Sequence, residues 1–371
     1  MKIVKNRKLE FDEIEISLLY DHGYEEEHVA QIMPKLEEIR RLRDEKNAVI
    51  LAHYYQIPPI QLIADIRGDS LKLAQSAKEI KDKRLVVCST VRFMAEMVKL
   101  LSPEKKVVVP ALDASCSIAE GINGESVRKI RERFSNAGIV AYVNTYADTK
   151  AEVDAICTSA NAMEVLRNIK GNPVILLPDY FFAKNILSEV LKRNNGREYL
   201  AYKKRENGSL VLEDVASGKE IRILGNGFRL PILDKGTCVV HEQFTPDEIQ
   251  FLRRKDKIEV VMSHPEVSQE VATVSDFVGG TGKMLDYVSK SKARRYLVIT
   301  ECDLTAPLRE NFPDREFFTP CKLCPYMKKN NIDGLIYSLK NEVYEITVDQ
   351  KVADGARMSL EKMFELTGGG K

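Results

Sequence analysis

Three stretches of this 371-residue chain can be laid over one another, and that self-similarity constrains the fold more than any local signal. They are VILAHYYQIPPIQLIADIRGDSLKLAQSAK from Val49, IVAYVNTYADTKAEVDAICTSANAMEVLRN from Ile139 and VVMSHPEVSQEVATVSDFVGGTGKMLDYVSK from Val260. Each opens on a short apolar run, the pattern of a buried strand. A polar pair two residues apart follows: His53 and Tyr55, Tyr142 and Asn144, His264 and Glu266. Twelve residues after the first member stands an aspartate (Asp65, Asp154, Asp276), and five residues further a hydroxyl (Ser70, Ser159, Thr281). Helix-period residues come next, then a second apolar run: LVVCST from Leu85, VILLPD from Val174, LVITEC from Leu297. Strand, turn, short strand, helix, strand predicts α/β units with parallel sheets. The length exceeds what one core usually serves, so two or three domains are expected.

In open α/β sheets ligands sit beyond the carboxyl ends of the strands, where these polar pairs fall, so the three pairs are expected to face one site. Ser70, Ser159 and Thr281 stand where helices begin; their plain role is capping, and a helix N-terminus also receives anions. Lys and Arg number 56 against 55 Asp and Glu, which gives no reason to expect a nucleic-acid or membrane-surface partner. The start, MKIVKNRKLEFDEIE, turns acidic where a signal peptide needs an apolar stretch, and no run is long enough for a membrane span, so a cytoplasmic location is expected.

Seven cysteines, at 88, 116, 157, 238, 302, 321 and 324, form an odd and scattered set, expected to stay reduced, and for any one of them packing is the ordinary role. The repeat singles out three. Cys116 lies 51 residues after Asp65 and Cys324 lies 48 after Asp276. Cys238 lies 84 after Asp154, so the middle unit carries about 33 extra residues, and the polar stretch at roughly 192–222, with its Asn207-Gly208 turn signal, supplies them as an exposed inserted hairpin arm. One thiol per unit suits an iron–sulfur cluster better than structural zinc, which wants four protein ligands. Three ligands leave one iron open as a Lewis acid. Cys321 and Cys324 form a C-x-x-C pair, which leaves open a redox switch or an alternative ligand. His53, His241 and His264 lie in the same loops, Glu266 is a candidate general base, and Tyr55 or Tyr142 a proton relay or carboxylate holder.

These residues carry a resemblance. From about Ala48 to Leu366 the chain is similar to the quinolinate synthase family: A-H-Y-Y-Q and I-A-D-x-x-G-D-S-L at 52–71, F-M-A-E at 93–96, A-x-C-S-I-A around Cys116, Y-V-N at 142–144, T-S-A-N-A at 158–162, G-x-C-V-V-H at 236–241 and H-P-E at 264–266. The resemblance implies an α/β fold of three pseudo-threefold-related domains, each a short parallel sheet sandwiched by helices, around a central funnel holding a [4Fe-4S] cluster. Their expected limits are 1–112 plus 325–371, then 113–234 with the arm, then 235–324. It implies condensation of iminoaspartate with dihydroxyacetone phosphate to quinolinate, with loss of phosphate and water, on the route to NAD. A transient contact with an L-aspartate-oxidising enzyme belongs to the same expectation. The cluster ligands fall on Cys116, Cys238 and Cys324. Substrate contacts fall on His53, Tyr55, Ser70, Tyr142, Asn144, Ser159, His241, His264, Glu266 and Thr281, with Glu266, His53, Tyr55 and His264 handling protons. A cluster-dependent hydro-lyase on another hydroxy acid and a non-catalytic iron–sulfur sensor are the alternatives. Val267 stands where the family usually has Cys, Gly280 where it has Ser, and Ser89 where it has Gly.

Overall fold

The first sheet is wholly parallel, with strand order β2-β1-β3-β4, where β1 is Ala48–His53, β2 Ile66–Gly68, β3 Leu85–Ser89 and β4 Lys106–Val108. The computed structural model describes residues 13–192, 196–224 and 231–368. Every residue of β1 and β3 is buried, as expected where helices cover both faces of a parallel sheet. One face, through Ile50, Ala52, Leu85 and Val87, packs on Leu36, Ile39 and Leu42 of the helix Glu26–Glu45 and on Leu335 and Leu339 of the helix Ile332–Asn341. This sheet belongs to a compact unit formed by Met1–Ala114, Ala306–Asn311 and Pro325–Thr347.

A second unit, Ser115–Thr305, Phe312–Cys324 and Val348–Lys371, holds the other two sheets. In one, β6 (Ala155–Cys157), β5 (Gly138–Tyr142), β7 (Val174–Leu177) and β8 (Tyr199–Glu206) lie in that order and run parallel. Strands β9 (Ser209–Asp214) and β10 (Glu220–Leu224) extend it antiparallel. The last sheet, β12-β11-β13-β14, is parallel, with β11 at Val260–Ser263, β12 at Phe277–Val278, β13 at Arg295–Ile299 and β14 at Glu316–Phe318. The sequence repeat is therefore a structural one: short strand, first strand, second strand and fourth strand occupy the same places three times.

The repeated aspartates explain why. Oδ2 of Asp65, Asp154 and Asp276 accepts the backbone N–H of Ile50, Ile139 and Val261 at 2.8 Å in each case. The aspartate N–H returns a bond to the carbonyl of the same strand residue at 2.9 Å each time. An arginine from the preceding helix pairs with each carboxylate: Arg43 with Asp65, Arg131 with Asp154, Arg253 with Asp276. The carboxylate thus clips the start of the short strand to the middle of the first. The turn expected between these strands contains a short helix in every unit: Pro58–Ile63, Ala147–Lys150 and Gln269–Thr273. Pro58 and Pro59 open the first of these, where a missing N–H costs nothing.

The arm differs from its expected form. Its residues 193–195 lie outside those described. The rest is no exposed appendage: β8 supplies the fourth strand that β4 and β14 supply elsewhere, and β9 and β10 continue the sheet. Tyr199, Leu200, Ala201, Tyr202, Leu210, Val211 and Leu212 are buried, so their apolar side chains override the charged average of the segment. Asn207 (φ 50°) and Gly208 (φ 72°) make the two-residue turn. Buried Glu213 accepts from Lys184, Lys203 and Tyr180, tying the hairpin to the helix Tyr180–Leu191. The last helix, Gln350–Leu366, grouped by the sequence reading with the first domain, lies against β6 and the helices Ala147–Lys150 and Ala162–Asn168.

Replacing Asp154 by Ala should lower unfolding stability by about 1–3 kcal/mol, the cost of an orphaned strand N–H and an unpaired Arg131. Chemical denaturation measures it, and Asp65→Ala and Asp276→Ala should cost similar amounts; three neutral substitutions would remove the clip as an organising element.

Candidate active site and metal-ligand loops

Because Asp154 and Asp276 fix the strands three residues before Tyr142 and His264, both polar pairs emerge from the sheets at matched depth. Within the second unit they meet on one carboxylate. Glu266 is buried (4 % exposed). Its Oε1 accepts from Tyr142 Oη at 2.8 Å and from Asn144 Nδ2 at 3.3 Å. Its Oε2 lies 2.9 Å from His241 Nδ1, a close charge contact not aligned as a hydrogen bond, and 3.7 Å from His264 Nδ1. The His241 and His264 rings stack with centroids 4.7 Å apart, and His241 Nε2 pairs with Thr300 Oγ1 at 2.8 Å. Burial pushes the Glu266 carboxyl up, but the facing histidines and the Tyr142 hydroxyl outweigh it and hold the group below the ordinary carboxylate range. Burial lowers His264 to about 4, which leaves a neutral ring. Its Nδ1 is then an acceptor for the Glu266 N–H, 3.4 Å away. An ionised carboxylate beside neutral imidazole and two donors is in the proton-accepting form that a general base requires.

In the first unit the equivalent pair has the same local design. Buried His53 accepts the Tyr55 N–H on Nδ1 at 3.1 Å, as His264 does from Glu266, and the two rings meet edge to face at 4.6 Å. Lys328 Nζ donates to the Tyr55 carbonyl at 2.6 Å.

The three hydroxyls are not the caps that sequence position suggests. Asp69 caps the helix that Ser70 begins, Asn161 precedes the helix after Ser159, and Gly280 precedes the one that Thr281 begins. Their neighbours having taken the capping positions, Ser70 and Thr281 sit at the first helical residue, both buried. The Gly280 departure has a steric reason: a Cβ there would stand 2.2 Å from Ser159 Oγ and 3.1 Å from Ser159 Cβ. The Ser159 hydroxyl fills the space that a residue-280 side chain would take. Val267, the other departure, is buried in the core of the last sheet with Val261, Val271 and Leu297, where a small apolar side chain fits.

Cys116, Cys238 and Cys324 all lie in the second unit, the first two on loops fastened to each other. Ser117 Oγ donates to the Thr237 carbonyl at 2.8 Å and accepts from Val239 N at 3.2 Å, straddling Cys238. A Cβ on Gly121 would stand 2.4 Å from Gly236 Cα, so the two loops touch backbone to backbone. The Cys324 N–H donates to buried Glu301 at 3.3 Å. Burial raises the Cys116 thiol, as do the charges of Cys324 and Glu266, while the Ala119 and Ile118 amides bond to it and favour the thiolate. Cys238 is raised by burial, Glu266, Cys324 and Cys116, and eased by the His241 amide. The Cys116 and Cys238 thiols receive amide donors and are raised by the Cys324 charge, so their thiolates call for a cationic centre and the three residues fit a three-thiolate metal group. Cys238, His241 and Glu266 also place ligand atoms within 4.8 Å of one another. Cys88 and Cys157 are buried strand residues with packing roles.

Cys321 corrects the expectation that all thiols stay reduced. It is joined to Cys302 rather than poised with Cys324, because the Glu301–Lys322 bridge lays the two loops side by side with the cysteine Cα atoms 4.8 Å apart.

Sequence reasoning missed the ends of the second strands. Val87, Ile175 and Leu297 pair with the three clipped residues, and four positions on stand Val91, Asp179 and Glu301. Asp179 is fully buried, and its Oδ1 accepts from Phe182 N at 2.9 Å. Burial and the Glu266 charge push its carboxyl well above the usual range. The signal was present in VILLPD and LVITEC, whose last residues were read only as strand ends.

Gly280→Ala should destabilise the protein by about 1–3 kcal/mol through overpacking against Ser159. Thermal denaturation should then recover most of that loss in the Gly280→Ala/Ser159→Gly double variant; equal losses in both would place the crowding elsewhere.

Comparison with known proteins bears on the same residues. The family described as quinolinate synthetase A protein matches residues 37–365. The quinolinate synthase of Sinorhizobium fredii is 36 % identical over 338 residues, covering 91 % of this chain and 84 % of that protein. That of Agrobacterium fabrum is 35 % identical over 365 residues, covering 96 % and 93 %. That of Alkaliphilus metalliredigens is 37 % identical over 333 residues, covering 89 % and 98 %. With its thrice-clipped α/β sheets and the Glu266 cluster beside three cysteine loops, this chain belongs to the quinolinate synthetase A family.

Proposed function

We propose that this chain is a quinolinate synthase that condenses iminoaspartate with dihydroxyacetone phosphate, with loss of phosphate and water, to make the pyridine precursor of NAD. The observation that carries the reading is the buried Glu266 carboxylate, fed by Tyr142 and Asn144 and flanked by His241 and His264. Cys116, Cys238 and Cys324 are the proposed holders of a [4Fe-4S] cluster. When bound, such a cluster supplies an iron with an open position, a Lewis acid for a substrate hydroxyl or carboxylate.

Glu266, ionised and held by fixed donors, accepts a carbon- or nitrogen-bound proton during isomerisation and ring closure. Tyr142 keeps the carboxylate aimed and can pass a proton along its hydrogen bond. Neutral His264 borders the carboxylate without quenching its charge, and His241 lies on the same side. His53 and Tyr55 are proposed for proton handling on the resemblance and on their matched place in the repeat. Ser70, Ser159 and Thr281, with Asn144, are proposed to hold carboxylates or the phosphate; two of these hydroxyls begin helices, where N–H groups favour anions. Among the described residues no helix is long and apolar enough to cross a membrane, and a cytoplasmic site of action is part of the proposal.

Anaerobic incubation of the cluster-loaded protein with iminoaspartate and dihydroxyacetone phosphate should yield quinolinate, detected by mass spectrometry. Glu266→Gln should keep the visible absorbance of the cluster and lose about 10²-fold or more in turnover, the loss of a general base. A loaded wild-type protein that makes no quinolinate overturns the reading, and full activity in Glu266→Gln removes that residue as the base.

A further inference from the structure

The helix Tyr180–Leu191 touches the base-bearing turn and the donor that aims the base. Asn185 Nδ2 donates to the Pro265 carbonyl at 3.0 Å and to the Val267 carbonyl at 2.8 Å, one on each side of Glu266. One turn earlier on the same helix, the Phe182 ring stacks on Tyr142 with centroids 4.1 Å apart, and Tyr142 donates to Glu266. Gln269, just beyond the turn, donates to Ser188 Oγ at 3.0 Å and to the Lys184 carbonyl at 3.4 Å. Buried Asp179 fixes the helix start through Phe182 N. The turn itself is tight, with Val267 N bonded to the His264 carbonyl at 3.2 Å. Its orientation about that bond is set from outside, by the Asn185 amide.

We propose that Asn185 is a positioning residue for the reaction: by holding the carbonyls on either side of Glu266, it keeps the carboxylate in register with Tyr142 and Asn144. The inference rests on the reading of Glu266 as the base. Asn185 Nδ2 bonds both carbonyls, whereas a Ser hydroxyl offers a single donor and Ala none. A base displaced by even ~1 Å loses orders of magnitude in rate, whereas substrate affinity depends on many other contacts.

The test compares cluster-loaded wild type, Asn185→Ser and Asn185→Ala. Iron content and melting temperature should stay near wild type in the Ser variant. Turnover should fall about 10–100-fold in Ala and less in Ser, with KM within about threefold in both, the split expected of lost alignment. In a Glu266→Asp background, whose shorter carboxylate is already out of register, Asn185→Ala should cost less than about twofold more. The same factor in both backgrounds would mean general structural damage and overturn the proposal. Hydrogen exchange at the Glu266 and Val267 amides should rise in Asn185→Ala, a readout independent of turnover. Unchanged exchange overturns the clamp whether or not quinolinate forms; raised exchange in a protein whose wild type makes no quinolinate overturns the reaction and, with it, the positioning role.

Discussion

A carboxylate that accepts one strand N–H while its own N–H returns to the same residue's carbonyl is a small device, yet the chain uses it three times. Asp65, Asp154 and Asp276 each fasten a short strand to a longer one, with an arginine completing the charge. Hydrogen bonds to charged groups contribute about 1.5–3 kcal/mol each, enough to decide register between strands this short. Register here carries chemistry. The clipped residue lies three positions before His53, Tyr142 or His264, so a slip of one residue would turn those side chains to the opposite face.

The site assembled on those strand ends in the second unit sets opposing electrostatic demands. Glu266 is kept charged in a buried place by donors and rings that face it, while burial and the Glu266 charge push the Asp179 carboxyl upward. Two carboxyl groups are thereby shifted in opposite directions, an arrangement suited to acid–base work. Burial raises the Cys116 and Cys238 thiols, and the Glu266 and Cys324 charges raise them further, so on the proposed cluster assignment their ionisation and the arrival of a metal centre are one event. Ser117, Gly121, Gly236 and Glu301 carry the mechanical side of that event, holding the loops in place by backbone contact and hydrogen bonds.

Much of this was legible in the residues because a repeat converts spacing into place. The parallel units and the polar pairs followed from offsets, and so did Cys116 and Cys324 as candidates, whereas Cys238 leaned on G-x-C-V-V-H and the resemblance; Glu266 was singled out as a base before its partners were visible. Other features depend on contacts that no spacing encodes. Asp65, Asp154 and Asp276 were markers without a role, since a side chain that bonds a backbone fifteen residues away leaves no local pattern. The hydroxyls were read as caps, but Asp69 and Gly280 already fill those positions. The arm's charged composition hid the short continuous apolar runs of β8 and β9, which bury it in the sheet. Cys302 lies nineteen residues from Cys321, and only the bridge between their loops reveals the pair.

The central claim is that Cys116, Cys238 and Cys324, one per repeat, hold a single cluster. Iron and acid-labile sulfide analysis of anaerobically prepared protein tests it most directly, with wild type carrying about four of each per chain. Cys116→Ala, Cys238→Ala and Cys324→Ala should each lose most of the iron and sulfide, whereas Cys321→Ala should retain both. Full retention in any of the first three, or loss in Cys321→Ala equal to theirs, would contradict the account.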